Sequence, residues 1–194
     1  MAGCGGSKSL HSDETPAMPS KPVQEWKAPE WVTKGSGAFR DEKGKAFFGV
    51  GVSSESKNYA TLWETANVRA RNEVATVFQV YLASLTKDYL SHIGDVTIRS
   101  SEDQVLWERA IKQVTSITLN GVEIVDRWQH PETMTMFTLA RLDLDSFKNK
   151  LDRMKELDAR VRTYIRKNSD RLFDELEKEE DKIRQAEGNQ LLPR

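Results

Sequence analysis

The 194-residue sequence has one cysteine, three histidines and no long apolar run. A single cysteine excludes an intramolecular disulfide. No stretch of about 18 consecutive apolar residues occurs, so no segment predicts a membrane span. The 29 basic and 30 acidic residues give a net charge of -1, which provides no reason to expect nucleic acid as a partner. A chain of this length accommodates one ordinary domain with extensions.

Motifs for the common catalytic and metal-binding chemistries are also missing. His11, His92 and His130 lack metal-ligand spacing, and neither a His-Glu-x-x-His motif nor a cysteine pair occurs. There is no Gly-x-Ser-x-Gly nucleophile elbow. We therefore expect no catalytic residues, no metal and no cofactor. An enzyme remains the alternative if titratable groups from distant parts of the chain cluster in a cleft.

The sequence does contain an apolar strand with two glycines. In residues 47–52, Gly49 and Gly51 alternate with larger apolar residues, which predicts a strand with one nearly bare face. A bare face allows another backbone to approach closely. The same glycines also invite a phosphate-binding interpretation. A third glycine is missing because Ser53 and Ser54 follow, so the pattern favours close packing.

A long amphipathic helix follows this strand. After Asn58, apolar residues recur every three or four positions, which is typical of one helix face. The small Ala66 and Ala70 predict that the first half of the helix sits tightly on the sheet. The bulkier residues of the 78–89 segment predict a larger partner for its second half.

The remaining patterns predict an α+β fold. Residues 122–128 and 134–142 read as two strands of an antiparallel hairpin, and a second helix precedes them. The order is strand, helix, helix, strand, strand, with a three-stranded antiparallel sheet. Pro29-Glu30-Trp31-Val32 predicts a short extended segment at the start of this domain. Trp31 is interpreted as a core or lid residue, with exposed recognition as the alternative.

A long charged amphipathic helix is predicted over residues 146–187, capped by Asp143 or Asp145. At 1.5 Å per residue it would be roughly 60 Å long, so one small domain would not cover it. Segment 148–171 has nine basic and four acidic residues, and segment 172–187 has three and seven. We predict that a partner helix, from a second copy or from another protein, covers its apolar stripe and matches basic half to acidic half. A solvated helix with close charge pairs is the alternative. The predicted oligomer interface consists of Leu151, Met154, Val161, Ile165, Leu172 and Leu176.

The N-terminal region predicts a lipid anchor and a tether. Ala2-Gly3-Cys4 has the small-small-Cys ending of a bacterial lipoprotein signal, whose cysteine is acylated. Residues 1–3 are too short for a signal peptide, so lipidation at Cys4 requires residues upstream of this sequence. Residues 5–28 are rich in Gly, Ser and Pro and predict a disordered tether, and residues 188–194 a flexible tail. A chance cysteine in a flexible start is the alternative.

Several short motifs follow one another in residues 29–145. They are Pro29-Glu30-Trp31-Val32, Phe48-Gly49-Val50-Gly51, Ala66 with Ala70-Arg71-Asn72-Glu73-Val74-Ala75, the 119–125 strand and Thr138-Leu139-Ala140. In this order they resemble the Lpp-twenty family of bacterial outer-membrane lipoproteins, which includes flagellar assembly lipoprotein P. The motif positions interpreted as packing residues are Trp31, Gly49, Gly51, Ala70, Arg71 and Glu73.

The resemblance implies a strand-helix-strand-strand domain, lipid attachment at Cys4 and a location at the periplasmic face of the outer membrane. It also implies assembly into oligomers or rings in the flagellar members. We therefore predict a lipid-anchored structural protein that self-associates, with other envelope or flagellar proteins as further partners. The alternative is a monomeric envelope module that binds a peptide, glycan or lipid, and an apolar pocket beside Trp31 or Trp128 would favour it.

Overall fold

The computed structural model describes residues 27–54, 56, 58–94 and 101–190. Cys4, nearly all of the predicted tether and residues 191–194 of the predicted tail lie outside the described residues. The described elements are α1 (Glu30–Lys34), β1 (Gly37–Asp41), β2 (Gly44–Ser53), α2 (Tyr59–Gly94), α3 (Ser101–Leu119), β3 (Glu123–Gln129), β4 (Met136–Asp143), α4 (Leu144–Arg153) and α5 (Ala159–Gln190).

The strands form one antiparallel sheet in the order β1-β2-β4-β3. The α+β class and the β3–β4 hairpin are confirmed, but the prediction of three strands was wrong. The missed strand is β1, which lies in a segment that reads as a turn-rich link. It carries only two apolar side chains, Ala38 and Phe39, and the short turn after it uses Gly44 at φ 116°. An apolar pattern this short does not predict a strand by itself, and β1 is recognised only through its pairing with β2.

Helix α2 packs against β2 at backbone distance, as the glycines predict. A side chain at Gly49 would overlap the carbonyl oxygen of Ala70, and one at Gly51 would overlap that of Ala66. Ala66 and Ala70 are themselves fully buried. The tight fit of the first half of α2 on the sheet is therefore confirmed.

The second half of α2 contacts large side chains from the other helices. The ring centroids of Phe78 and Phe147 of α4 are 5.3 Å apart. Tyr89 stacks on Trp107 of α3, with ring centroids 4.1 Å apart. Burial raises the pKa of Tyr81, whose hydroxyl donates to the Ser169 carbonyl of α5. The predicted bulky partner of α2 is thus its own chain.

The long C-terminal helix is confirmed as α5, but it does not begin near Ser146, because the predicted 146–187 helix is divided into α4 and α5. Asp143 caps α4 by accepting from the Ser146 amide at 2.6 Å, as expected. The chain then turns between Arg153 and Ala159, and Asp158 caps α5 by accepting from the Arg160 amide at 2.8 Å. The helix is therefore interrupted, because the chain changes direction after α4 and a second capping carboxylate starts α5. Helix α5 then continues to Gln190, three residues into the predicted tail.

The apolar stripe of this region lies inside the chain's own core, because α5 folds back over α2 and β1. All six side chains of the predicted oligomer interface, Leu151, Met154, Val161, Ile165, Leu172 and Leu176, are at most 6% exposed. The premise that one domain does not cover them was incorrect.

The charge segregation along α5 is also satisfied within the chain. Asp174 forms ion pairs with Arg40 and Lys45, both at 2.6 Å. Burial alone would raise the pKa of Asp174, but these two cations outweigh it and lower the pKa below its ordinary value. The acidic half of α5 thus faces the β1–β2 hairpin, and charge matching gives no reason to expect a second copy there.

Candidate functional site

The sheet has one face covered by helices and one that is mostly uncovered. Phe47 and Gly49 face α2, so the alternate side chains of β2 point to the opposite side. Among the described elements, α1 packs on this opposite side. We call it the open face and define it by Phe39, Phe48, Val50, Val52, Trp128, Phe137 and Leu139.

The open face is apolar although most of it is not buried by helices. A strand with one solvated face normally alternates apolar and polar residues, whereas a strand covered on both faces is apolar throughout. β2 follows the second pattern, yet Val52 is 37% exposed. Trp128 and Phe137 are a cross-strand pair with ring centroids 5.3 Å apart, and both are half-buried. We call Val52, Trp128 and Phe137 the bare strip.

Helix α1 covers the other half of the open face, which corrects the predicted extended segment. Pro29 precedes the helix, where its missing amide costs nothing, and Gly35 ends it at φ 77°. The Trp31 indole packs on the cluster around Phe48 and donates its Nε1–H to Asp126 of β3 at 2.7 Å. Trp31 is thus partly buried against the cluster, a position compatible with the expected core or lid role.

A groove of about 420 Å³ opens between α1 and the β1–β2 turn. Its apolar floor is formed by Phe39, Phe48 and Leu139 of the open face, and Trp31 forms part of one wall. Its charged residues are four cations and two carboxylates, Lys34, Arg40, Lys43, Arg141, Glu30 and Asp41, so its formal charge is +2. A groove therefore lies beside Trp31, where the binding-module alternative expects an apolar pocket, but half of its twelve lining residues are charged.

Two of the four groove cations are already neutralised by partners in the chain. Arg141 forms two hydrogen bonds to Asp41, at 2.8 and 3.1 Å. Burial alone would raise the pKa of Asp41, but hydrogen bonds from Arg141 and the amides of Lys43 and Gly44 lower it below its ordinary value. Arg40 pairs with α5. Of the four groove cations, Lys34 and Lys43 form no ion pair with another described residue.

The residues of the family-like motifs lie in two places. Gly49, Gly51 and Ala70 form the close contact between α2 and β2, and the Cβ of Glu73 also lies against Gly49. Arg71 extends this contact by donating to the Val122 carbonyl at 3.0 Å, beside the start of β3. Trp31 lies on the opposite side of the sheet. Since α2 covers both strand glycines, they are not available to cradle a phosphate.

Among the described residues, no group of three or more His, Cys, Asp or Glu side chains is placed to hold a metal ion. His130, in the β3–β4 link, uses Nδ1 to accept from the amides of Glu132 and Thr133, both at 3.2 Å. None of the described helices is long and apolar enough to cross a bilayer.

The search against protein-family models gives no match, and the search of curated proteins gives none either. The function of this chain therefore has to be inferred from its residues and their geometry.

Sequence reasoning expected a pocket beside Trp31 only as a sign of the alternative function. It predicted neither the lining of the groove nor the two lysines, Lys34 and Lys43, that have no ion pair among the described residues. The signal for the open face was present, because β2 is apolar on the side opposite the glycines as well. The groove itself combines α1 with all four strands, so no spacing along the chain announces it.

Proposed function

We propose that this chain is a lipid-anchored structural protein on the periplasmic face of the bacterial outer membrane. It acts through self-association and binding rather than catalysis. The family resemblance and the Cys4 motif support the anchor and the location. The open face supports the mode of action, because it replaces the buried stripe of α4 and α5 as the surface available to a second copy.

The observation that carries this proposal is the bare strip. Its three side chains are apolar, adjacent across β2, β4 and β3, and only partly buried. Contiguous exposed apolar patches on a soluble domain mark interaction surfaces. An interface core with aromatic residues and few charges fits this composition.

Sedimentation velocity of the full chain over a range of concentrations tests self-association. We expect a concentration-dependent oligomer, and we expect Val52→Lys to shift the equilibrium to monomer by placing a charge in the bare strip. Val68→Lys is the matched control, since Val68 is 52% exposed on α2, away from the open face. A wild-type chain that stays monomeric at every concentration would exclude self-association.

Mass spectrometry of the protein isolated from bacterial envelopes tests the anchor. We expect acyl groups on Cys4 and loss of membrane association in Cys4→Ser. An unmodified Cys4 in envelope-derived protein would contradict lipid anchoring, without bearing on the open face.

A second function, a monomeric envelope binding module, is favoured by the groove beside Trp31. Its volume of about 420 Å³ falls within the range of roughly 300–1,000 Å³ for small-molecule sites. This function requires a monomer that binds a ligand in the groove, so the sedimentation experiment separates it from self-association.

A further inference from the structure

We infer that the groove beside Trp31 binds an extended peptide segment in which acidic side chains flank an apolar one. This inference deepens the proposed binding function of the open face by naming a ligand class for one part of it. It does not depend on the oligomeric state.

The floor of the groove provides the apolar part of the recognition. Phe39 and Phe48 stack with ring centroids 5.8 Å apart, and Leu139 of β4 lies beside them. The three side chains are 6–8% exposed, so their neighbours hold them in place. Together they present a small apolar surface on which one ligand side chain can pack. Trp31, fixed by its hydrogen bond to Asp126, closes one side.

The walls provide the charged part. Lys34 lies on α1, with its Nζ 4.2 Å from the centroid of the Phe39 ring, and Lys43 lies on the β1–β2 turn. Both side chains belong to exposed residues. The carboxylate of Asp41 is engaged by Arg141, so it does not offset these lysines. Glu30 of α1 also lines the groove, so the two lysines exceed the remaining carboxylate by one charge. The walls therefore carry a net positive charge around an apolar floor, which complements an anionic ligand with an apolar centre.

An extended peptide fits this arrangement better than a sugar or a lipid chain. Successive side chains of an extended peptide point to opposite sides, so one apolar side chain reaches the floor while its acidic neighbours point toward the rim, where the exposed side chains of Lys34 and Lys43 can reach them. A neutral sugar would leave Lys34 and Lys43 without an anionic partner, whereas acidic side chains of a peptide would pair with them. The groove is open along its length, whereas an acyl chain requires an enclosed apolar channel to leave water.

The test uses the full chain and three fluorescein-labelled octapeptide pools that alternate a polar residue with Leu, Ile, Phe or Trp. The polar residue is Glu in the first pool, Gln in the second and Lys in the third. By fluorescence anisotropy we expect binding of the Glu pool, weakened by added salt, and much weaker binding of the other two. Equal binding of the Glu and Gln pools, or no binding of any pool, would overturn the inference.

Matched variants locate the site. Replacing Lys34 and Lys43 together by Gln removes two exposed ion pairs with the peptide and should weaken binding of the Glu pool about tenfold. Replacing Lys112 and Lys178 by Gln, both exposed on helices outside the groove, lowers the net charge equally and should leave binding unchanged. Equal losses in the two double variants would mean non-specific attraction and would overturn the assignment.

Two further outcomes keep this inference separate from the proposed function. Vesicles containing phosphatidylglycerol serve as an alternative anionic probe. Binding to these vesicles but not to the Glu pool would replace the peptide by a membrane surface. A chain that self-associates but binds no peptide would overturn this inference alone. A monomeric chain that binds the Glu pool would overturn self-association alone.

Discussion

The two faces of the sheet differ in what covers them, although the same strands form both. On the covered face, Gly49 and Gly51 let the α2 backbone touch β2, and Phe47 is fully buried among aromatic rings. On the open face, the five-residue helix α1 covers one half and leaves the bare strip exposed. Stability therefore depends mainly on the covered face, and binding is expected on the open one.

The charges of the molecule follow the same division. Lys45 and Arg40 of the β1–β2 hairpin are matched by acidic residues of α5 within ion-pair distance. Lys34 and Lys43, at the groove, have no such partner among the described residues. The hairpin cations that meet α5 are thus paired, whereas two of the four cations beside the groove remain available to a ligand.

The largest effect is expected where the covered face has no space. Gly51→Val places a side chain on the backbone of Ala66 and Ala70, which cannot rotate away. Overpacking against backbone atoms should cost more than the usual range of about 1–3 kcal/mol and lower the free energy of unfolding by about 5 kcal/mol or more. Urea denaturation measures the change, and Val50→Ala on the open face is the control, with a smaller loss expected. A Gly51→Val variant as stable as the wild type would contradict the close contact.

Neighbouring phenylalanines compare the two faces directly. Phe47→Ala removes a fully buried ring from contacts with Phe78, Tyr81 and Phe173 and should cost about 4 kcal/mol. Phe48→Ala removes a ring that stacks on Phe39 and packs against Trp31 of α1. It should cost less, about 3 kcal/mol, because the five-residue α1 can relax into the space more readily than α2 can. Urea titration of both variants gives the order. Equal losses would mean that α1 protects its half of the sheet as firmly as α2 protects the other.

The covered face was largely predictable from the sequence because its signals are local. The glycines of β2, the small residues of α2 and the periodicity of α2 each lie within one segment, and together they predicted the close contact. Asp143 likewise announced the start of α4.

The remaining features depend on contacts between distant segments. The β1 strand is too short to show a pattern and is held by β2 and α5. To predict where α5 begins, one has to recognise the turn before Asp158. This capping carboxylate is not distinctive in the sequence, because charged residues surround it. The groove joins side chains from residue 30 to residue 141, so sequence spacing does not reveal it.

Acid should lower the stability of the fold by removing the ion pairs that α5 makes with its neighbours. Burial alone would raise the pKa values of Asp170 and Asp174, but their lysine and arginine partners outweigh it and lower both. A carboxyl group whose pKa is lower in the folded state stabilises the fold at pH values above its unfolded-state pKa, near 3.9. That contribution is lost as the pH falls from there through the folded-state pKa. Urea midpoints should therefore drop steeply below about pH 4, and less steeply in Asp174→Asn. An identical pH dependence in this variant would show that the α5 ion pairs contribute nothing to stability.

The smallest effect is expected at Glu180, where α5 meets the edge of β1. Its carboxylate accepts from the Ala38 amide at 2.7 Å, but burial raises its pKa above the ordinary value. A raised folded-state pKa favours folding at low pH, and this advantage is lost as the pH rises through that pKa. Glu180→Gln keeps an acceptor for Ala38 and removes the buried charge. Its free energy of unfolding at pH 7 should equal or exceed that of the wild type by up to about 0.5 kcal/mol, with the difference shrinking towards pH 4.

Glu179→Gln, at an exposed neighbour, should change little at either pH. If Glu180→Gln instead loses more than about 1 kcal/mol at pH 7, attraction to Arg184, 3.8 Å away, outweighs the cost of burial. In that case the edge of β1 would be held by charge, like the rest of the hairpin, and not by a hydrogen bond alone.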